Sequence, residues 1–257
     1  MSTSRLIVLG ATGETGKQAL TAALQSAEVS HVYSFGRTAP TVDPSVSTAK
    51  LTHTSLDFDA LLAEKSAGEG SEGKKLRDAE ADAVVIALGT TKKNAGSAEK
   101  FEKIDREYVL AAAKAARRED KPNQRVVYVS AQAASSSSSF LYPRSKGLTE
   151  EGLAALGYAE TVIFRPGFLV VPGGRKEGRL AEQAFGAVTN LLSTFTPSLQ
   201  IPTPVLGRAL VAAATSAPSA LKLPAHGHEE TYKTGQKAWV VPNAQAIKLG
   251  GAESGKA

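Results

Sequence analysis

The chain has 257 residues, of which 42% are hydrophobic and 21% charged, and it carries a net charge of +5 at pH 7. This composition is typical of a globular protein with a sizeable core, and it excludes disordered and fibrous chains. The absence of cysteine excludes a disulfide framework and thiolate metal sites. No apolar run reaches the ~18–20 residues that cross a bilayer, so we expect no transmembrane segment and at most peripheral membrane association.

The basic residues are scattered or occur in short pairs such as Lys74-Lys75 and Arg117-Arg118, without interleaved aromatic residues. This pattern argues against a nucleic-acid partner and favours a phosphorylated small molecule as the anion that the positive charge attracts. The first residues, MSTSRLIVLG, lack the charged region and cleavage site of a secretory signal.

Strands and helices alternate along the first 167 residues. Short β-branched apolar runs predict buried parallel strands at 5–10, 31–37, 49–58, 82–89, 125–130 and 160–167. Apolar stripes predict helices at 14–27, 97–118 and 143–156; the stripe of the second comprises Phe101, Ile104, Tyr108 and Ala112. The glycine- and charge-rich stretch 64–77 is expected to form a mobile surface loop. The alternation predicts βαβ units with right-handed crossovers.

Beyond residue 170 the pattern loosens. We expect a loop at 172–178, helices at 180–196 and 205–216, a last strand and short helix within 239–250, and a disordered tail. No internal repeat or composition break marks a second domain. The expected fold is therefore α/β, a single domain over 1–257 with a doubly wound parallel sheet. Residues 170–250 are expected to form a small C-terminal lobe on the substrate side.

A glycine-rich loop, GATGETG, directly follows the first strand. Gly10 permits the tight turn, Gly13 lets the backbone approach a diphosphate, and Gly16 lets the next helix pack on the sheet. The helix N-terminus adds free N–H groups and positive potential. Between a strand and a helix, this spacing predicts the dinucleotide site of a Rossmann-type fold rather than a plain glycine-rich turn. The candidate binding residues are Gly10, Thr12, Gly13, Glu14, Thr15 and Gly16.

The end of the second strand indicates which dinucleotide binds. An acidic residue there would hold the ribose 2′-hydroxyl of NAD, but the chain has Arg37, which can pair with a 2′-phosphate. Lys17 could add a second cation. These residues favour NADP(H), although Arg37 could also be a solvated surface residue. Asp57, at the end of the third predicted strand, could contact the adenine or be an ordinary strand-end residue.

The stretch 130–146, SAQAASSSSSFLYPRSK, connects a predicted strand to a predicted helix. It is therefore expected to lie at the carboxyl edge of the sheet rather than to link two domains, and its serines at 135–139 are expected to make few specific contacts. Tyr142 and Lys146 share one helix face, where the ammonium would lower the pKa of the phenol. Ser130 could hydrogen-bond a substrate oxygen. This set predicts a proton-transfer site.

These residues carry a family resemblance. The glycine loop with Ser130, Tyr142 and Lys146 resembles the short-chain dehydrogenase/reductase superfamily in its atypical branch. ALGTTKKNAGSAEKFEKIDREYVL, FLYPRSKG and FRPGFLV resemble the Tat-interacting-protein-30-like group and its fungal relatives of the mitochondrial outer membrane. The resemblance implies an active-site triad of Ser130, Tyr142 and Lys146. It places further cofactor contacts at Tyr142, Lys146, Ala87, Leu88, Gly89, Arg165, Pro166 and Gly167.

The chain departs from the superfamily in the long helix predicted at 97–118. Many members carry an asparagine there that supports a proton-relay water, whereas 97–118 contains none and has Ile104 and Asp105 near that position. Of the four histidines only His226 and His228 are close in the sequence, and no third ligand neighbours them, so no metal site is expected.

Two functions remain open from the sequence. The first is an NADP(H)-dependent oxidoreductase that transfers hydride between nicotinamide and a small-molecule carbonyl. The second is an NADP(H)-binding regulatory or scaffold protein that engages a protein partner with little or no turnover. Residues 183–200 are expected to pack on their own domain, although they could cover a substrate pocket or lie on a membrane. The expected location is cytoplasmic, and the resemblance implies peripheral attachment to the mitochondrial outer membrane.

Overall fold

A predominantly parallel sheet of eight strands forms the centre of the computed structural model, which describes residues 3–65, 68–173, 199–217 and 225–251. The strands are β1 (Ser4–Leu9), β2 (Val29–Gly36), β3 (Leu51–Ser55), β4 (Ala83–Ile86), β5 (Arg125–Val129), β6 (Glu160–Arg165), β9 (His228–Thr231) and β10 (Lys237–Pro242). Their order in the sheet is β3-β2-β1-β4-β5-β6-β10-β9, and β9 is antiparallel to β10. Beside them, β7 (Phe168–Val170) pairs in parallel with β8 (Gln200–Pro202).

Helices cover both faces of the sheet, and its strands are therefore buried on both sides. Along β1, Leu6 and Val8 enter one apolar cluster while Ile7 and Leu9 enter the other. The helices are α1 (Glu14–Gln25), α2 (Phe58–Ala63), α3 (Ser71–Asp78), α4 (Lys92–Ala95), α5 (Ala98–Glu102), α6 (Tyr108–Ala116), α7 (Leu141–Ala154), α8 (Thr203–Thr215) and α9 (Asn243–Gly251). The first cluster contains side chains of α1, α8 and α9, and the second those of α2, α3, α6 and α7. The predicted doubly wound α/β fold is confirmed.

The prediction of a mobile loop over 64–77 is wrong, because residues 71–78 form α3. The Glu64 carboxylate accepts hydrogen bonds from the N–H groups of Glu72 at 2.8 Å and Gly73 at 3.0 Å. A side chain remote in sequence thus caps the helix start, and Leu76 anchors the helix in the core at 1% exposure. The third strand is also shorter than predicted: Asp57 caps α2 by accepting from the N–H groups of Asp59 and Ala60.

The helix predicted over 97–118 is confirmed as an unbroken helical run over 98–116, but a π turn at Lys103–Glu107 lies between its α-helical parts α5 and α6. A π turn has more residues per turn than an α-helix, so residues four apart stay on one face. The buried stripe therefore runs through Phe101, Asp105 and Val109 rather than through Ile104 and Tyr108.

The remaining predictions divide between confirmed and undescribed segments. The helix expected at 205–216 is α8, and the strand and helix expected within 239–250 are β10 and α9. The helix expected at 180–196, most of the loop at 172–178 and the tail from 252 lie outside the described residues. Within the described ranges, no helix has both the length and the apolar character needed to cross a membrane.

Candidate active site

The strand order reverses between β1 and β4, which is where open α/β sheets bind ligands. Two predicted cofactor loops meet there. Gly10, after β1, has a φ of +80°, and a Cβ on it would lie 2.5 Å from the carbonyl oxygen of Ala87, after β4. The backbone N–H of Ala87 donates to Leu9 at 3.0 Å. The glycine loop therefore lies directly against the predicted loop of Ala87, Leu88 and Gly89.

The glycine loop leads directly into α1 without a side-chain cap. Gly13 is the N-cap residue, and it has no side chain with which to bond the first N–H groups of the helix. Thr12 and Gly13 are exposed, whereas Thr15 and Gly16 are buried. Glu14 is the acidic residue of the first turn. The uncapped N–H groups and the positive end of the helix dipole form an anion-binding site of the kind that holds a diphosphate.

The residues predicted to choose the dinucleotide lie at the ends of β2 and β3. Arg37 follows β2 and is exposed. Asp57 has one carboxylate oxygen occupied as the cap of α2, and its N–H donates to Glu72 at 2.8 Å. Asp57 thus has a structural role independent of any nucleotide.

Tyr142 and Lys146 lie on one face of α7, as their spacing predicts. Lys146 Nζ is 6.0 Å from the centroid of the Tyr142 ring. Tyr142 is 46% exposed, while Lys146 is buried at 5% exposure. The phenol therefore faces the carboxyl edge of the sheet, and the ammonium lies beneath it.

The buried Lys146 ammonium has two partners that the sequence analysis did not identify. Its Nζ donates to Tyr128 Oη at 3.0 Å and lies 3.1 Å from Asp105 Oδ1. Burial favours the neutral amine, but the attraction of Tyr128, Asp105 and Tyr142 outweighs it and raises the pKa of Lys146 above its ordinary value. Lys146 is therefore held as a cation.

Tyr128 is fully buried beside this cation. Burial raises the pKa of Tyr128 to about 12; the Lys146 charge acts in the opposite direction, and the Asp105 carboxylate adds to the rise. Tyr128 thus remains a neutral phenol that accepts a hydrogen bond from Lys146.

Ser130 lies at the end of β5, with its backbone N–H donating to Phe164 at 2.8 Å. Its side chain is buried, and its hydroxyl donates to the Glu150 carboxylate. Glu150 follows Lys146 by one helical turn and is itself fully buried. In this arrangement the Ser130 proton is directed at a carboxylate.

Arg165 binds the same carboxylate from the end of β6. Its guanidinium donates to both oxygens of Glu150, at 3.1 and 2.6 Å, and to both oxygens of Glu230, at 2.7 and 2.9 Å. Tyr232 also donates to Glu150, at 3.2 Å. Attraction to the two carboxylates outweighs burial and raises the pKa of Arg165. Arg165 therefore joins α7 to β9.

Pro166 and Gly167 continue from Arg165 at the sheet edge. The Pro166 carbonyl accepts from the N–H of Gln132 at 3.0 Å, and the N–H of Gly167 donates to Asn243 Oδ1 at 2.8 Å. A Cβ on Gly167 would lie 2.1 Å from the Leu199 carbonyl oxygen. Packing against Leu199 therefore accounts for this glycine.

The serine-rich loop is fixed to α7, contrary to the expectation of few specific contacts. Ser136 Oγ donates to Glu151 at 2.6 Å, and the Ser135 N–H donates to the Pro143 carbonyl at 3.0 Å. A Cβ on Gly147 would lie 2.2 Å from the Ser136 nitrogen, so the loop backbone rests directly on the helix. This confirms that the stretch connects a strand, β5, to a helix, α7, within one alternating series of strands and helices.

Sequence reasoning missed Asp105, Tyr128 and Glu150. Glu150 follows Lys146 by four residues, as Lys146 follows Tyr142, so helical period alone could have placed it. Tyr128 precedes Ser130 by two residues and shares its face of β5. Asp105 follows the apolar Phe101 by four residues, and the sequence analysis noted it only as lying near the position of the superfamily's asparagine, not as a partner of Lys146. Among the described residues, no group of three or more His, Asp or Glu side chains could hold a metal ion.

Comparisons with known proteins identify relatives of the chain. No protein-family model matches the chain. It is 34% identical over 218 residues to Protein fmp52, mitochondrial, of Emericella nidulans, covering 83% of this chain and 88% of the relative. The protein of the same name in Aspergillus clavatus is 30% identical over 252 residues, covering 96% and 99%. Protein FMP52, mitochondrial, of Candida albicans is 37% identical over 170 residues, covering 66% and 68%.

Solved structures share the fold. A short-chain type dehydrogenase/reductase from Mycobacterium ulcerans superposes with a TM-score of 0.63 at 16% identity, covering 96% of this chain and 92% of that one. A short chain dehydrogenase family protein from Francisella tularensis gives a TM-score of 0.57 at 13% identity, covering 96% and 99%. MoeE5, solved in complex with UDP-glucose and NAD, gives 0.54 at 14% identity, covering 83% and 72%. The chain therefore belongs to the family of fungal FMP52 proteins, and it shares the α/β fold of these solved short-chain dehydrogenase structures.

Proposed function

We propose that this protein binds NADP(H) and catalyses hydride transfer between the nicotinamide and the carbonyl or alcohol group of a small molecule. The observation that carries the proposal is the contrast among the glycines of the loop after β1. A Cβ on Gly16 would lie 2.0 Å from the Gly10 carbonyl oxygen, so packing of α1 requires that glycine. A Cβ on Gly13 would meet the same oxygen at 3.4 Å, an ordinary contact, and the φ of Gly13 is −80°.

The fold itself thus leaves a side chain at Gly13 permissible. A glycine there is explained by a ligand that approaches the backbone closely, beside the uncapped N-terminus of α1. The residues fit a dinucleotide diphosphate at Gly13, with Arg37 near the adenosine ribose. Arg37 is exposed at the end of β2 and suits a 2′-phosphate, which supports NADP(H) over NAD(H).

When bound, the cofactor supplies the hydride. Tyr142 Oη is the group that donates a proton to the substrate oxygen during reduction and takes it back during oxidation. The Lys146 ammonium favours the phenolate that remains on Tyr142, because the positive charge lies beneath that ring. The Lys146 ammonium has three N–H groups, and one that is not used by Tyr128 would donate a hydrogen bond to the nicotinamide ribose. The helix and the sheet orient these groups, and the chemistry of hydride transfer belongs to the cofactor.

One observation favours the second candidate function, an NADP(H)-binding regulatory or scaffold protein. Ser130, expected to polarise the substrate carbonyl, donates its proton to Glu150 instead. A donor committed to a buried carboxylate is not available to a carbonyl oxygen unless substrate binding turns the hydroxyl. A protein that only senses the dinucleotide would need no such turn, and its partner would be another protein.

Cofactor binding is tested by titrating the purified protein with NADPH and NADH at low salt and following nicotinamide fluorescence. We expect NADPH to bind at least tenfold more tightly, and Arg37→Ala to remove most of that preference, since one charge-assisted contact is worth ~1.5–3 kcal/mol. Lys92→Ala, a basic residue beyond the β4 loop, is the matched control and should leave the ratio unchanged. Equal binding of both nucleotides by the wild type would contradict the NADP(H) assignment.

Turnover is tested with Tyr142→Phe over a panel of aldehydes and ketones. An oxidoreductase should lose at least a hundredfold in kcat while keeping its NADPH affinity, because a general acid contributes ~10²–10⁴-fold. If the wild type binds NADPH but reduces nothing in the panel, and a protein partner binds wild type and Tyr142→Phe equally, the regulatory function replaces the enzymatic one.

The names of the relatives describe them as mitochondrial, which supports a mitochondrial location for this chain. We extend this location to the present chain, with attachment to the cytoplasmic side of the outer membrane. Fractionation of cells should recover the protein with mitochondria, accessible to added protease before the outer membrane is opened. Protection from protease would place it in an inner compartment instead.

A further inference from the structure

Asp105 is a buried carboxylate that the proposed reaction does not yet use. It lies in the π turn between α5 and α6 and is 1% exposed. Its Oδ1 is 3.1 Å from Lys146 Nζ, yet neither carboxylate oxygen accepts an aligned hydrogen bond from a described residue. Its interaction with Lys146 is therefore an ion pair, and its oxygens remain available to other donors.

Three titratable groups face the Lys146 ammonium in the described structure. Asp105 approaches from the π turn, Tyr128 from β5 at 3.0 Å, and Tyr142 from the same helix with its ring centroid at 6.0 Å. Gly89, from the loop after β4, completes the enclosure. A Cβ on Gly89 would lie 2.9 Å from Asp105 Oδ1 and 3.6 Å from Lys146 Nζ. Of the three titratable groups, Asp105 is the carboxylate and the other two are phenols.

Stability alone does not account for Asp105. Removing two charges from water is expensive, and apolar replacement of a buried ion pair often leaves a protein equally stable. The π turn is itself an irregularity that proteins tend to keep at functional sites. Asp105 lies within this turn and is buried, whereas its neighbour Ile104 is only partly buried.

We propose that Asp105 is a positioning residue of the active site, which keeps Lys146 charged and holds its ammonium beneath the Tyr142 ring. The inference rests on the proposed hydride transfer and deepens it. Asp105 touches neither substrate nor cofactor and acts through Lys146. Without its carboxylate, the buried amine would keep two neutral phenols, Tyr128 and Tyr142, as its partners in the described part of the chain, and burial would favour loss of its proton.

The test compares the intact protein with Asp105→Asn. Lysine labelled with ¹³C at Cε reports ionisation by NMR, and Lys146→Arg assigns the signal. Glu160→Gln is the matched control, because Glu160 pairs with buried Arg125 at 3.0 Å at the amino edge of the same sheet. We expect Lys146 to stay charged up to about pH 10 in the wild type and in Glu160→Gln, and its titration midpoint to fall below about pH 10 in Asp105→Asn.

The pH profile of NADPH-dependent turnover provides the second readout. In Asp105→Asn its alkaline limb should move down by at least one pH unit, whereas Asp105→Glu, which keeps the charge, should restore most of the wild-type profile. An unchanged Lys146 midpoint in Asp105→Asn would overturn the proposal, as would failure of Asp105→Glu to differ from Asp105→Asn. If Asp105→Asn does not fold, Asp105→Glu against wild type decides by the same midpoint.

The two hypotheses fail separately. Absence of turnover in the wild type refutes the hydride-transfer function, but the Lys146 midpoint is measured without substrate or cofactor. A lowered midpoint in Asp105→Asn would then still support control of the lysine charge by Asp105.

Discussion

Glycines that look equivalent in the sequence have different physical causes in the structure. Gly10 has a φ of +80° and no room for a Cβ beside Ala87, so the fold demands it. Gly16 has an ordinary helical backbone but lies against the carbonyl of Gly10. Gly13 has neither constraint. The three positions of one motif can therefore be separated by mutation into fold requirements and a ligand requirement.

Gly13→Ala should separate folding from binding. We expect its free energy of unfolding to stay within about 1 kcal/mol of wild type, because the poorer N-cap, which costs about 1 kcal/mol, is partly offset by the lower conformational entropy of the unfolded chain. Its NADPH affinity should fall at least tenfold, since the added methyl group would occupy the space of the diphosphate. Gly16→Ala is the control and should cost about 2 kcal/mol or more through overlap with the backbone. Chemical denaturation and fluorescence titration measure the two quantities, and undiminished binding by Gly13→Ala would contradict the diphosphate assignment.

Ser130 offers a second separation at the same scale. Ser130→Ala removes a donor from the buried Glu150 carboxylate, so we expect the free energy of unfolding to fall by about 1–3 kcal/mol. Ser145 is a matched control in the same site region. It is fully buried, and its hydroxyl has no hydrogen-bond partner among the described residues, so Ser145→Ala should be neutral or slightly stabilising. Equal effects of the two substitutions in urea denaturation would show that the Ser130–Glu150 bond does not contribute to stability.

At the scale of elements, the features that could be predicted are those that depend on residues close together in the sequence. Buried parallel strands are continuous apolar runs, so RVVYV and AVVI identified β5 and β4 directly. The spacing of Tyr142 and Lys146 likewise fixed their common face on α7. What failed depended on distant partners: Glu64 caps a helix that starts seven residues later, and the π turn brings Asp105 to Lys146 from another helix. Local periodicity contains no information about either contact.

The remote cap of α3 gives a prediction at this scale. Glu64→Ala removes the acceptor of two N–H groups at the start of the helix, which should cost about 1 kcal/mol. Hydrogen exchange of the Glu72 and Gly73 amides should accelerate before the global free energy changes greatly. Asp78→Asn is the control, since it removes an exposed ion pair with Lys74 in the same helix and should cost less than about 0.5 kcal/mol. Unchanged exchange at Glu72 in Glu64→Ala would show that water replaces the cap without cost.

At the scale of the whole molecule, buried phenols connect the elements. Tyr128 in β5 meets α7, Tyr158 donates to the Ala113 carbonyl of α6 at 2.6 Å, and Tyr232 after β9 donates to Glu150 of α7. Burial is the first cause that raises the pKa of each; Arg117 opposes the rise at Tyr158, while Glu150 adds to it at Tyr232. Loss of the proton from any of these phenols within the fold would leave a buried negative charge, which destabilises the folded state.

This arrangement predicts cooperative unfolding in alkali. The pKa of Tyr128 is about 12 in the fold, and those of Tyr158 and Tyr232 are also raised, against about 10 in an unfolded chain. Below about pH 10 all three phenols are protonated in both states, so their contribution is fully present. As the pH rises above that value, the unfolded chain loses its phenolic protons first. Stability therefore falls by about 1.4 kcal/mol per pH unit for each phenol.

Three phenols acting together would remove about 4 kcal/mol per pH unit, which over two units approaches the ~5–15 kcal/mol that holds a typical domain folded. We therefore expect the tyrosinate absorbance of these residues to appear together with the loss of circular dichroism, not before it. Tyr158→Phe should reduce the slope of the free energy of unfolding against pH by about 1.4 kcal/mol per pH unit, the contribution of one phenol. This reduction does not depend on how the substitution changes stability at neutral pH. Complete tyrosinate formation in a protein that keeps its native dichroism would contradict the prediction, because it would show that these phenols reach solvent without unfolding of the sheet and helices around them.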